Sequence, residues 1–189
     1  GSYIANGSIE GKPLETWEIE GMTWFLWLGG LDTVASTVSQ MFRRLAFDRE
    51  LQIRIRDDKT LINSAVEEFL RMQPLVNSGR KIRRDFEWYG VKMKAGDWIS
   101  CFNTSGNFDE DRFECPHVFD PERKANRHFT LAGGIHICLG AHLARRELRV
   151  LLDEWFTRIP EPFRVKEGAD TSVVPALLSI RNLPIVWDR

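Results

Sequence analysis

Leu131-Ala132-Gly133-Gly134-Ile135-His136-Ile137-Cys138-Leu139-Gly140 presents a cysteine on a glycine-rich loop, just ahead of a helical stretch. Unpaired backbone N–H groups at a helix start, together with the positive end of its dipole, favour thiolate over thiol. A thiolate in that position is a metal ligand or a nucleophile. Gly134 and Gly140 remove side chains on either side of the sulfur, so a flat ligand or the backbone itself can approach closely. Two other readings stand beside this one. A lone cysteine is commonly a small buried hydrophobe. His136-x-Cys138-x3-His142 also supplies three donors for zinc, although His142 falls on the following helix and no fourth ligand stands at a standard spacing.

A second chemical feature lies inside a long apolar stretch. Gly29-Gly30-Leu31-Asp32-Thr33 places two glycines in a helix interior, each costing about 1 kcal/mol relative to alanine. The Thr33 hydroxyl can reach the Gly29 carbonyl four residues back, loosening the helix beside an acid and an alcohol and opening a groove for a small polar ligand. Close packing of helices at small residues is the alternative. Phe25, Leu28, Gly29 and Asp32 share one helix face, an apolar wall meeting one carboxylate. Taken alone, Phe25 and Leu28 read as core. Further along, Glu68 and Arg71 lie three apart among Ala65, Val66, Phe69 and Leu70, placed for a charge-assisted bond that Arg123 could extend into a network.

The elements that must position these groups follow from periodicity. Helical spacing predicts one long helix from Pro13 to about Leu45, a second over Asp48–Arg56 and a third over Lys59–Met72, ending before Pro74. Alternation between Arg80 and Ser100 predicts strands, with a hairpin over Phe86–Met93 turning near Gly90, the only clear sheet region. Residues 105–135 carry Gly, Asp and Pro at intervals that predict a long irregular meander, the kind of segment usually kept for function. After Gly140 a helix should run to Arg158 and stop at Pro160, followed by a short β-rich tail. The fold class is mainly α with a minor β region.

Composition sets outer bounds. The 189 residues carry 26 Lys plus Arg against 27 Asp plus Glu, a formal net charge of −1, which argues against a whole-surface trap for nucleic acid. With 12 Phe and 7 Trp there is ample apolar surface for a core. Cys101, Cys115 and Cys138 are odd in number and widely spaced, which predicts no disulfide framework and a reducing, cytoplasmic setting. Met22–Leu31 is too short for a bilayer span and reads as a core helix.

Taken in chain order, Gly29-Gly30-Leu31-Asp32-Thr33, Glu68-Phe69-Leu70-Arg71, Asp120-Pro121-Glu122-Arg123 and Gly134-Ile135-His136-Ile137-Cys138-Leu139-Gly140 resemble four motifs of the cytochrome P-450 family of haem-thiolate monooxygenases. They match its oxygen-binding motif, its Glu-x-x-Arg motif, its meander and its haem-ligand loop. Gly140 through Pro160 looks especially like the bacterial camphor-hydroxylase branch. Leu131 departs from the pattern, standing where the family usually has Phe. The resemblance implies that residues 1–189 form a single unit, the carboxy-terminal half of a P-450 domain, with the amino-terminal half absent.

On that resemblance the cofactor is haem b, with Cys138 its axial thiolate and metal ligand. Arg80 and His136 match positions that bind the haem propionates, and Gly134 and Gly140 shape the loop. Asp32 and Thr33 would relay protons to bound oxygen. Phe25, Leu28, Gly29 and Val76 would line a pocket for a compact apolar substrate such as a terpenoid, and Glu68, Arg71 and Arg123 would form the structural charge network. Arg123, Lys124, Arg127, Arg145, Arg146 and Arg149 flank the cysteine loop and would suit an acidic ferredoxin as electron donor, or else form a solvated face. The implied partners are thus substrate, O2 and a ferredoxin, with neither nucleic acid nor membrane. Weak or absent activity and self-association through exposed apolar surface are expected of this chain by itself. The competing expectation is a haem-free remnant acting as a structural or interaction module.

Overall fold

The structure, a computed structural model, describes residues 2–174 and 179–187. A short helix α1 (Ser2–Ala5) leads into a hairpin of β1 (Ser8–Ile9) and β2 (Lys12–Pro13), then α2 (Thr16–Phe47). Helix α3 (Arg49–Asp57), a single 3-10 turn at Lys59–Leu61 and α4 (Ile62–Met72) follow. Strands β3 (Ser78–Lys81), β4 (Phe86–Trp88), β5 (Val91–Met93) and β6 (Trp98–Cys101) precede a one-turn helix α5 (Asn103–Asn107). The long irregular stretch then ends in a 3-10 turn at Gly134–His136 and helix α6 (Ala141–Arg158). The tail holds β7 (Phe163–Val165), β8 (Val173–Val174), β9 (Ser179–Ile180) and β10 (Ile185–Trp187).

The long helix begins three residues later than its spacing predicts, because Lys12-Pro13 pairs back onto Ser8-Ile9 through a turn whose Glu10 and Gly11 both have positive φ, 52° and 81°. Pro13 therefore closes a hairpin rather than opening a helix. Glu18 Oε2 accepts the Glu15 N–H at 2.8 Å and caps the true start. At the other end Asp48 serves two helices. It stops α2 and accepts the Leu51 N–H of α3 at 3.1 Å through its side chain.

The predicted hairpin is present, with β4 against β5 and Tyr89-Gly90 at positive φ in the turn, and β3 pairs antiparallel with β6. Ladders also form outside the Arg80–Ser100 region: β1 with β2, β7 with β10 and β8 with β9. Each is two strands wide. Helices accordingly carry the fold and the ladders ornament it.

One apolar core joins α2, α3, α4 and α6. Met41, Phe42 and Leu45 meet Leu51 and Ile55 of α3, Ala65, Val66 and Phe69 of α4, and Leu148, Leu152 and Phe156 of α6. Phe42 packs edge-on to Trp155 at 4.7 Å and stacks with Phe163 at 5.6 Å. The buried Gln52 side chain is fully used, donating to the Leu45 and Phe163 carbonyls and accepting the Phe163 N–H at 2.8 Å. It ties the tail to the helices without leaving a polar atom unpaired.

All of that packing engages the second half of α2. The first half overturns the core reading of Met22–Leu31: Trp24, Phe25, Leu28 and Leu31 are 60%, 74%, 49% and 57% exposed. Phe25 and Leu28 are an open apolar wall. Among the described residues no helix is long and apolar enough to cross a membrane.

Candidate functional site

Cys138 sits three residues ahead of α6 and is exposed. Its loop is held at both ends by backbone bonds: the Cys138 N–H donates to the Leu131 carbonyl at 2.8 Å, and the Cys138 carbonyl accepts the Ala141 N–H at 3.1 Å. Gly134 adopts φ +61°, which a side chain would strain, and has open space on its Cβ side. A Cβ on Gly140 would stand 4.0 Å from the Cys138 sulfur. Ile135, Ile137 and Leu139 alternate with His136 and Cys138 and are themselves exposed, so the loop presents thiol, imidazole and apolar side chains on one open tip. The buried-cysteine reading fails on this exposure. The zinc reading fails too, since among the described residues no three His, Cys, Asp or Glu side chains converge on a metal position.

The Thr33 hydroxyl donates to the Gly29 carbonyl at 2.6 Å, and Thr37 repeats the bond to the Thr33 carbonyl at 2.9 Å. The helix nevertheless runs unbroken through Gly29-Gly30, so the expected loosening does not interrupt it. Neither glycine has any neighbour within 4 Å of where a Cβ would stand, so no close helix packing at them is seen among the described residues. Asp32 is exposed beside them.

Arg80 lies in β3 opposite Ile99, exposed, its guanidinium donating to the Gly79 carbonyl at 2.8 Å. Val76 is 44% exposed, and its carbonyl accepts the Asn103 side-chain amide at 2.9 Å. Arg80, Val76, His136 and Cys138 are thus all unburied, as are Phe25, Leu28 and Asp32.

The charge network is the most completely formed part. Arg71 donates twice to Glu68, at 2.8 and 2.7 Å, with both side chains fully buried. Arg123 Nε joins at 3.1 and 3.2 Å to the two carboxylate oxygens. Three partners had no signal at the level of sequence. The Asp120 N–H and the Asn126 amide also donate to Glu68, at 3.1 and 2.9 Å, and the Asn107 carbonyl accepts from Arg71 at 2.8 Å. Burial pushes the Glu68 carboxyl up, but hydrogen bonds from Arg71, the Asp120 N–H and Arg123, with the charge of Arg71, hold it below its ordinary range.

A neighbouring carboxylate was missed altogether. Glu67 takes Arg145 as a fork, at 2.8 Å from Nε to Oε1 and 3.0 Å from Nη2 to Oε2, and has His128 Nε2 at 3.3 Å and Arg149 at 3.5 Å. Burial opposes its charge, yet hydrogen bonds from His128 and Arg145 bring its pKa down to about 2. The one sequence hint is that Arg145 and Arg149 lie four apart and so share a face of α6. These bonds also shrink the basic surface beside the loop. Arg123, Arg145 and Arg149 are engaged internally, which leaves Lys124, Arg127 and Arg146 exposed.

The family model for cytochrome P-450 matches residues 5–176. The chain is 35% identical over 187 residues to a probable cytochrome P-450 127A1 of Sinorhizobium fredii, covering 98% of this chain and 45% of that protein. It is also 35% identical over 191 residues to a methyl-branched lipid omega-hydroxylase of Mycobacterium bovis, covering 98% of this chain and 44% of the relative. Among solved structures, CYP101J2 superposes with a TM-score of 0.89 at 39% identity, over 100% of this chain and 48% of that one. CYP109E1 from Bacillus megaterium in complex with testosterone superposes with 0.91 at 30% identity, over 100% and 53%. The chain spans about half the length of the curated relatives it matches. With the cysteine loop, the buried Glu68–Arg71–Arg123 network and the acid–alcohol pair of α2 all in place, and a family match across most of its length, the chain belongs to the cytochrome P-450 family.

Proposed function

We propose that this chain is a single unit forming the carboxy-terminal half of a P-450 domain, and that the whole protein is a haem-dependent monooxygenase. Members of the family bind haem b, which supplies oxygen activation and insertion when bound. The residues present fit that group. Cys138 offers an exposed sulfur donor, and Gly133, Gly134, Gly29 and Gly30 each border open space where a side chain would intrude on a flat ligand. Arg80 and His136, both exposed, carry the donors that a pair of propionate carboxylates needs.

Cys138 would hold the haem iron through its sulfur, as a thiolate. Its loop geometry fixes the sulfur through the Leu131 carbonyl rather than through any bond to the sulfur itself. Asp32 holds and passes a proton at its carboxylate. Thr33, whose hydroxyl hydrogen is committed to Gly29, is left with its oxygen lone pairs to accept from a water. In the whole protein Phe25, Leu28, Gly29 and Val76 would form the apolar side of a pocket for a compact apolar substrate, a terpenoid being one such. Electrons arrive from an acidic ferredoxin, for which Lys124, Arg127 and Arg146 are the available cations. The setting is cytoplasmic.

The observation that carries this reading is the exposed Cys138 on its pinned glycine loop. A haem-free interaction module is the second reading, and the exposure of Trp24, Phe25 and Leu28 favours it. Haem titration separates them. Ferric haem added to the chain, reduced under carbon monoxide, gives a thiolate-type band that Cys138→Ser abolishes. A band that survives Cys138→Ser overturns the assignment of the sulfur, and no haem uptake by either protein supports the module.

A further inference from the structure

Glu67 and Glu68 are adjacent on α4, about 100° apart around the helix, and so serve different neighbours. Glu68 faces Arg71 and the meander. Glu67 instead meets two groups that bracket the cysteine loop in sequence: His128, ten residues before Cys138, and Arg145, seven residues after it.

Each contact continues inward. The His128 side chain is 1% exposed and accepts the Thr130 N–H at Nδ1, 3.3 Å, so in the neutral ring the proton sits on Nε2 and points at Glu67. The segment that follows is fastened at every step. The Phe129 N–H donates to Asn107 Oδ1 at 2.7 Å, the Thr130 hydroxyl to the Leu70 carbonyl at 2.5 Å, and the Leu131 carbonyl receives the Cys138 N–H. On the far side, the Cys138 carbonyl receives the Ala141 N–H, and Arg145 is the next residue along that face of α6.

We infer that Glu67 is a positioning residue for the Cys138 thiol: one carboxylate that fastens both the segment entering the cysteine loop and the helix leaving it. The inference rests on the proposed role of Cys138 as ligand, but its geometry is independent of any cofactor. A general structural role is the alternative. Against it, α4 and α6 already pack through Val66, Phe69, Leu148 and Leu152, all buried, so the helices have no need of an ion pair to stay together. What Glu67 adds is a fixed distance between the two ends of a loop whose own tip is exposed.

Amide hydrogen exchange on the full chain tests this, read at Cys138 and Ala141 and, for the core, at Met41, Leu45 and Phe69. Glu67→Gln lowers protection at Cys138 and Ala141 by about tenfold or more while the core amides stay within about twofold. Arg145→Lys keeps the charge and loses the fork, and gives a smaller loss at the same two amides; it decides the matter if Glu67→Gln does not fold. Unchanged protection at Cys138, or an equal fall at loop and core, overturns the inference. Haem titration of the unsubstituted chain reports separately on the ligand role. A chain that never gives a thiolate-type band, yet loses loop protection on Glu67→Gln, refutes the haem reading and retains the clamp.

Discussion

Replacing Arg71 with leucine strikes the most densely bonded point of the fold. The substitution removes two charge-assisted bonds to Glu68 and one to the Asn107 carbonyl, and leaves the Glu68 carboxylate in a fully buried position. It also empties the space between Phe108 and Phe113, whose rings stand 5.5 and 5.2 Å from the guanidinium. Breaking one side of a buried ion pair costs roughly 3–5 kcal/mol. Because Arg123, Asn126 and the Asp120 N–H still reach Glu68, the expected loss is about 4 kcal/mol rather than the sum of three bonds. Against a total stability on the order of 5–15 kcal/mol, that is a large fraction. The double variant Glu68→Leu with Arg71→Leu removes both charges but orphans the three remaining donors, so it falls short of additivity by about 2–3 kcal/mol without returning to the unsubstituted value. Urea denaturation of Arg71→Leu, Glu68→Leu and the double variant, followed by far-ultraviolet circular dichroism, measures all three differences. A single-variant loss under about 1 kcal/mol, or strict additivity of the pair, refutes the claim that this network is internally coupled.

Two further predictions concern the charge beside the loop and the open face. Glu67 has its pKa lowered from 4.5 to about 2, so it contributes stability that is complete above 4.5 and is lost as the pH falls through 2. The full contribution is roughly 3 kcal/mol, and Glu67→Gln should flatten the decline in urea midpoint between pH 5 and about 2, checked by the same denaturation series at fixed ionic strength. The exposed apolar wall predicts reversible self-association, which Phe25→Glu with Leu28→Glu should reverse. Sedimentation velocity reads both, and a chain that is monomeric before substitution contradicts it.

Short-range chemistry was legible in the sequence, and long-range partnership was not. The Thr33 bond to Gly29 spans four residues and the Glu68–Arg71 pair three, separations that a helix fixes by itself. Arg123 lies 55 residues from Glu68; local spacing offers it only as one cation that could join the pair, and the meander motif singles it out by resemblance. Nothing of that kind pointed to Glu67, whose partners lie 61 and 78 residues away. The hairpin at Tyr89-Gly90 announces itself by alternation with a glycine at the turn. The one at Glu10-Gly11 is flanked by strands of only two residues, too short for any period, and its Pro13 imitates a helix start. The exposure of Phe25 and Leu28 escaped for a different reason. Helical periodicity reports that a face is apolar, not what covers it.

That last distinction governs how the two sides of the site should behave. The sulfur side is built on the part of the fold that packs for itself, with α6 and α4 joined through Leu148, Leu152, Val66 and Phe69 and the loop ends bonded at Leu131 and Ala141. The acid–alcohol pair and apolar wall stand on the first half of α2, where Trp24, Phe25 and Leu28 are all exposed. On the proposed roles, ligation by Cys138 would depend on the first set, whereas retention of an apolar substrate would depend on burying the second. On that proposal the two properties separate in this chain, with thiolate ligation surviving where discrimination among apolar substrates does not, because the helices behind the sulfur are packed into the apolar core and the first half of α2 is not.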